Sequence, residues 1–120
     1  MKQLRFLDWK VYQDSQNFFL DILRVVHRLP KEYRYEIGSQ LNRAVLSVVL
    51  NIAEGSGKQS DKETNRFFEM ALGSLYESVA LVDTLAKMEI LQENEREIFF
   101  QKMTEIGSQI GGFKKHLKKN

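Results

Sequence analysis

The sequence predicts an all-α protein of four helices packed side by side, and three observations carry that expectation. Helical spacing of apolar residues recurs four times along the 120 residues; no stretch shows the strict alternation of a half-buried strand; and the one proline, Pro30, stands between two helical stretches rather than inside one. With 42% hydrophobic residues, residues 1–120 have the size of one globular domain that can bury a core without metal or disulfide support.

The first helix is expected over residues 8–28, where Val11, Ser15, Phe18, Ile22, Val25 and Leu29 recur at spacings of four and three before Pro30 ends it. Trp9, Tyr12, Phe18 and Phe19 share this spacing, so they read as core rather than as bases' stacking partners. A second helix is expected over 36–54. Around a wheel of about 100° per residue, Ile37, Leu41, Ala44, Val45, Val48, Val49 and Ile52 form its broad core face. Leu46, Leu50 and Ala53 point elsewhere, so this helix is apolar on two sides. In so small a chain the second burial is most simply supplied by another subunit, and these three residues are the expected oligomer interface. Glu36, Gln40, Arg43, Ser47, Asn51 and Glu54 fill a narrow polar sector of roughly 80°.

The third helix, over 61–89, carries two seams and needs two neighbours. Phe68, Leu72, Leu75, Val79, Val82 and Ala86 form one; Phe67, Ala71, Ser74, Ser78, Leu81, Leu85 and Met88 form the other. Gly73 costs about 1 kcal/mol of helix propensity against alanine, which a packing role would explain. A fourth helix, over 93–118, repeats the seam with Phe99, Met103, Ile106, Ile110, Phe113 and Leu117.

Between the second and third helices, Asn51 to Glu63 reads NIAEGSGKQSDKE, an acid beside glycines, a lysine and hydroxyls. It reads as a corner. Gly55 and Gly57 follow a helix ending near Glu54, where a glycine in the left-handed conformation would close it; Ser60 and Glu63 make the S-x-x-E pattern of a capping box. A phosphate loop needs G-x-x-x-x-G-K-[ST] after a strand, and GSGKQS has neither that spacing nor that setting.

Several function classes are excluded or left without residues to carry them. There is no cysteine, hence no disulfide or thiolate metal site. His27 and His116 stand far apart with no metal motif, no glutamate precedes a histidine by three residues, and no G-x-S-x-G elbow is present. No catalytic residue, metal ligand, cofactor or small-molecule substrate is therefore expected, and the chain reads as not an enzyme. The longest apolar run, AVLSVVLNIA, is too short and too polar to span a bilayer, and the start resembles no secretion signal, so a cytoplasmic location is expected.

Net charge is +2, with a local excess at the end, where GGFKKHLKKN holds Lys114, Lys115, Lys118 and Lys119 and no acid. These lysines fit the negative pole of a helix end, or an electrostatic contact with RNA, DNA or an acidic partner. The stripe of Arg43, Ser47, Asn51 and Glu54 has its own alternatives: a solvated face, a polar network closed by Ser74 and Glu77 of the third helix, or a ligand contact.

Three motifs converge on a family. Ser39, Gln40, Leu41, Arg43 and Ala44, then Asn51, Ile52, Ala53, Glu54 and Gly55, then Ala71, Gly73, Ser74, Leu75 and Glu77 resemble the four-helix bundle proteins named for intervening sequences of bacterial 23S ribosomal RNA genes. The resemblance covers the second and third helices. It implies an up-down antiparallel, left-handed bundle, often a ring-like homopentamer with a central channel, and brings no catalytic residues. A related branch, the accessory variability proteins of diversity-generating retroelements, binds a reverse transcriptase and nucleic acid. The function so implied is a non-enzymatic oligomeric scaffold for RNA, DNA or a nucleic-acid enzyme, the alternative being a protein-interaction module with no nucleic-acid contact. Five copies at +2 would sum to +10, and five lysine-rich tails would act together.

Overall fold

The computed structural model describes residues 2–117. A leading 3₁₀-helical segment, Lys2–Asp8, precedes α1, Lys10–Arg28. One α-helical turn, Lys31–Tyr33, and a π-helical stretch, Arg34–Gly38, run without a break into α2, Ser39–Ser56; α3 is Asp61–Lys87 and α4 is Glu93–Lys115. No strand occurs among the described residues.

Each long helix packs against the next, and α1 also meets α4, which closes the square. Cross-helix pairs fix the directions. Gln109 donates to Asp14 (2.8 Å), Lys102 to Asp21 (2.6 Å) and Arg28 to Glu95 (2.6 Å), so contacts climb α1 as they descend α4. Between α3 and α4, Arg96 donates to Asp83 (2.9 Å) and Lys114 to Glu69 (3.2 Å), again antiparallel. Between α2 and α3, Ser47 meets Ser74 and Thr64 donates to the Gly55 carbonyl. Helices α1 and α2 therefore run antiparallel too, in a body of 44 × 24 × 21 Å.

The four seams meet in one core. Phe18 and Ile22 of α1, Leu41, Val45, Val48 and Ile52 of α2, Val82 and Leu85 of α3, and Met103, Ile106 and Ile110 of α4 are all at most 2% exposed. Burying such a side chain contributes about 1.5–3 kcal/mol. The expected seam of α1 is buried throughout, Ser15 included, its hydroxyl donating to the Val11 carbonyl at 2.7 Å. Phe18 meets Phe99 edge-on at 5.7 Å between ring centroids, and Trp9 lies 4.7 Å from Phe113.

The structure differs from expectation at the corners and within α3. Helix α2 runs on to Ser56, so Gly55 lies inside it, and neither Gly55 nor Gly57 is left-handed; Gly57 has φ −91°. Gly55 serves close packing instead, since a Cβ there would meet Phe68 Cε1 at 2.9 Å and Phe67 Cβ at 3.1 Å. The left-handed residue is Glu89, with φ 62°, in the turn after α3. There the Ile90 N–H donates to the Leu85 carbonyl (3.1 Å) and the Glu89 N–H to that of Ala86 (2.9 Å), the bond pair of a Schellman turn. Gly73 has no packing role within the chain, because a Cβ there would meet nothing within 4 Å. The Ser60 cap forms, its hydroxyl accepting from the Glu63 N–H at 3.1 Å.

Candidate interaction surfaces

Helix α2 divides into three sides. Leu41, Ala44, Val45, Val48, Val49 and Ile52 enter the core. Ser47 and Asn51 turn toward α3. Leu46 and Leu50 occupy the remaining side, 36% and 50% exposed, with Ala53 half-buried beside them. With about 100° per residue and α3 on the Ser47 side, Leu46 and Ala53 fall toward α1 and Leu50 on the outer crest.

The neighbouring surface is also apolar. Leu20 and Leu23 of α1 are exposed, and Leu23 lies nearly opposite the Asp14, Asp21 and Arg28 stripe that faces α4. The leading 3₁₀ segment packs on both α1 and α2 and exposes Leu4 and Leu7. Tyr35, in the stretch entering α2, is 72% exposed. Six of the ten exposed large apolar side chains among the described residues thus belong to three mutually adjacent elements, and Tyr35 to the stretch that leads into α2; Met70, Tyr76 and Ile98 are the others. Sequence periodicity picked out only the α2 part. Leu4, Leu7, Leu20 and Leu23 lie outside the seams, and spacing along one helix does not place them on a shared side.

The polar stripe splits in two. The Ser47 and Ser74 hydroxyls share a hydrogen bond of 2.8 Å, Asn51 Nδ2 donates to the Ser47 carbonyl (2.9 Å) and hydroxyl (3.0 Å), and Ser78 donates to the Ser74 carbonyl. Arg43, Glu54 and Glu77 are exposed, and no hydrogen bond or ion pair joins them to this group among the described residues. A half-buried neutral cluster of hydroxyls and one amide fixes the register of α2 on α3 and holds no group poised for proton transfer.

Of the lysines near the end, Lys114 pairs with Glu69 at 3.2 Å and Lys115 is exposed; Lys118 and Lys119 lie outside the described residues. No cluster of three or more acids or histidines able to hold a metal ion occurs among the described residues, and His27 and His116 are exposed. No helix among them is long and apolar enough to cross a membrane.

The α1 and α4 seam is charged where the α1 and α2 side is apolar. Lys10 Nζ bridges Asp14 (2.6 Å) and Glu105 (2.8 Å), beside the Lys102 and Asp21 pair. The hydrogen bonds to Asp14 and Glu105 push the Lys10 ammonium up to about 12. Burial pushes the Asp14 carboxyl up, but hydrogen bonds from Lys10 and Gln109 and the Lys10 charge outweigh it and hold Asp14 below its ordinary value.

A family model described as 23S rRNA-intervening sequence protein matches residues 7–112, which takes in all four long helices but the last turn of α4. No curated protein matches the chain.

Proposed function

The chain belongs to the 23S rRNA-intervening sequence protein family, and from that premise we propose that it works without catalysis, as a ring-like oligomeric scaffold presenting a repeated surface to nucleic acid or a nucleic-acid enzyme. In this reading the bundle is left-handed and its copies, five in a closed ring, meet along the side built by the leading segment, α1 and α2.

One observation carries the reading: the concentration of exposed apolar side chains on that side, Leu46 and Leu50 among them. A single exposed leucine needs no explanation, but several gathered on adjacent elements on one side of a rod are of the kind by which soluble chains meet partners. The opposite flank of α1, closed by ion pairs, is suited to water. A long face on a slender rod also fits rotational assembly, in which each copy offers the same strip to its neighbours. The nucleic-acid half rests on the mildly basic balance multiplied by copy number.

Light scattering on the purified chain tests the assembly. The wild type should have a multiple of the 14.1 kDa chain mass, and Leu46→Glu or Leu50→Glu should lower it while circular dichroism stays helical. A buried unpaired carboxylate disrupts an interface, whereas both positions lie outside the intrachain core. A wild-type monomer at high concentration, or a mass unmoved by either substitution, refutes this reading. A nuclease-treated pull-down separates the alternative protein-interaction module, whose partner would be retained.

A further inference from the structure

The bundle is electrically lopsided along its length. Ser47 lies level with Ser74, and Gly107 with Leu75, so these contacts mark its middle. One half comprises residues 4–17, 48–73 and 107–117. Among the described residues it holds seven lysines and arginines against six carboxylates, Asp61 and Glu63 of the corner included. The other half, residues 18–47 and 74–106, holds eight against ten. Formal charge is therefore +1 at one end and −2 at the other.

That end is also partly organised. Lys58, in the corner between α2 and α3, has its ammonium 4.7 Å from the centre of the Phe67 ring, and the Arg66 guanidinium approaches the same ring at 4.8 Å. Phe67 is buried, so it anchors cations from two successive turns of structure instead of stacking on a base itself. Lys62 stands between them in the sequence, and the Lys114 pair with Glu69 brings the end of α4, with Lys115, alongside α3.

We propose that this end, built by the α2–α3 corner and the end of α4, is the surface that takes the phosphodiester backbone of a nucleic acid. The inference rests on the scaffold reading above, which leaves the site open. In a ring whose axis runs along the helices, rotation keeps every copy's basic end on the same face, so the surplus adds up there while the acidic ends collect on the other. Point cations without a base-reading groove bind phosphate with little sequence preference and with a strong dependence on salt.

Fluorescence anisotropy with a labelled RNA oligonucleotide and its DNA equivalent, over a range of salt, tests this on the full chain. Lys58→Glu with Lys62→Glu alters the basic end; Lys31→Glu with Lys87→Glu makes the same change in charge at the other. Light scattering and circular dichroism check that both variants keep the wild-type mass and helix content. The basic-end variant should bind about tenfold more weakly or worse, with a shallower salt dependence, since each lost phosphate contact lowers the slope by about 0.7 on a single strand. The opposite variant should stay within about twofold of wild type. Equal losses in both, or a loss only in the second, would overturn the assignment while leaving nucleic-acid binding intact. No binding by the wild type at low salt would overturn the nucleic-acid reading as well. RNA and DNA bound alike is the expected result; a preference above about tenfold for one would mean that more than phosphate is read, against the proposal.

Discussion

A methyl group added at Gly55 would strike the Phe68 ring, whereas one added at Gly73 would touch nothing within 4 Å. The two substitutions should therefore move stability in opposite directions. Gly73→Ala should stabilise the folded chain by up to about 1 kcal/mol through helix propensity. Gly55→Ala should destabilise it by about 1 kcal/mol, since overpacking against two rings costs about 1–3 kcal/mol and propensity recovers part. Urea midpoints at equal slope would show it, and a higher midpoint for Gly55→Ala would mean that the rings yield freely. Glu89 is the complementary case, a bulky residue held at φ 62° where glycine is usual. Glu89→Gly should raise stability by about 0.5–1 kcal/mol, the relief of left-handed strain less the freedom gained by the unfolded chain. A lower midpoint would show that the glutamate side chain contributes something the turn geometry does not. The sequence reads Gly55 as a left-handed helix end and Glu89 as the last residue of the third helix, whereas the helix ends at Lys87 and Glu89 is the left-handed residue. Both depend on which residues face each other across a corner, and periodicity along one helix carries no such information.

At the scale of elements the helices were legible because each buries a seam at spacings of three and four, and a seam is a property of the sequence itself. What escaped was structure set by neighbours. The segment after Pro30 is helical from Lys31, and it passes through a π-helical stretch, with Ser39 N–H bonded to the Arg34 carbonyl, that ends at Gly38, packed against Val26 of α1 and Leu29 just beyond it. The apolar outer side of α2 was legible; its continuation over α1 and the leading segment required knowing which elements are adjacent. The charged seam between α1 and α4 was invisible for the same reason, and its pH dependence has a defined sign. Asp14 has a folded pKa below the ordinary 3.8, so its contribution is present above that value and lost as pH falls through the folded one. Lys10 is raised from 10.5 to about 12, so its contribution is complete below 10.5 and lost as pH rises through about 12. Asp14→Asn should accordingly destabilise the protein at pH 7 by no more than about 1 kcal/mol, as the pair is well solvated, and the difference should shrink as pH falls below 3.8. A cost that persists undiminished at pH 2 would assign the effect to packing or to the Gln109 bond rather than to charge.

At the scale of the whole molecule, folding and assembly are linked if the apolar side is covered only in the oligomer. A core of one bundle buries Phe18, Ile22, Leu85 and their neighbours completely, so a single copy has a complete interior. Yet it leaves Leu4, Leu7, Leu20, Leu23, Leu46 and Leu50 in water, a cost that the proposed association would remove and a folded monomer would bear alone. Mass action then makes thermal stability depend on protein concentration: for a closed assembly that melts directly to unfolded chains, a hundredfold rise stabilises each subunit by up to about 2 kcal/mol. For a domain of this size that is a rise in Tm of roughly 4–8 °C. Leu50→Glu should abolish the dependence, because the variant's folded state no longer draws on neighbours, and its Tm should approach that of the wild type at high dilution. Scanning calorimetry over two decades of concentration decides between the cases. A wild-type Tm that stays constant would mean that α2 tolerates its exposed leucines without a second copy; a dependence that survives in Leu50→Glu would move the contact to another face of the bundle, where Met70 and Tyr76 of α3 are the next exposed apolar side chains.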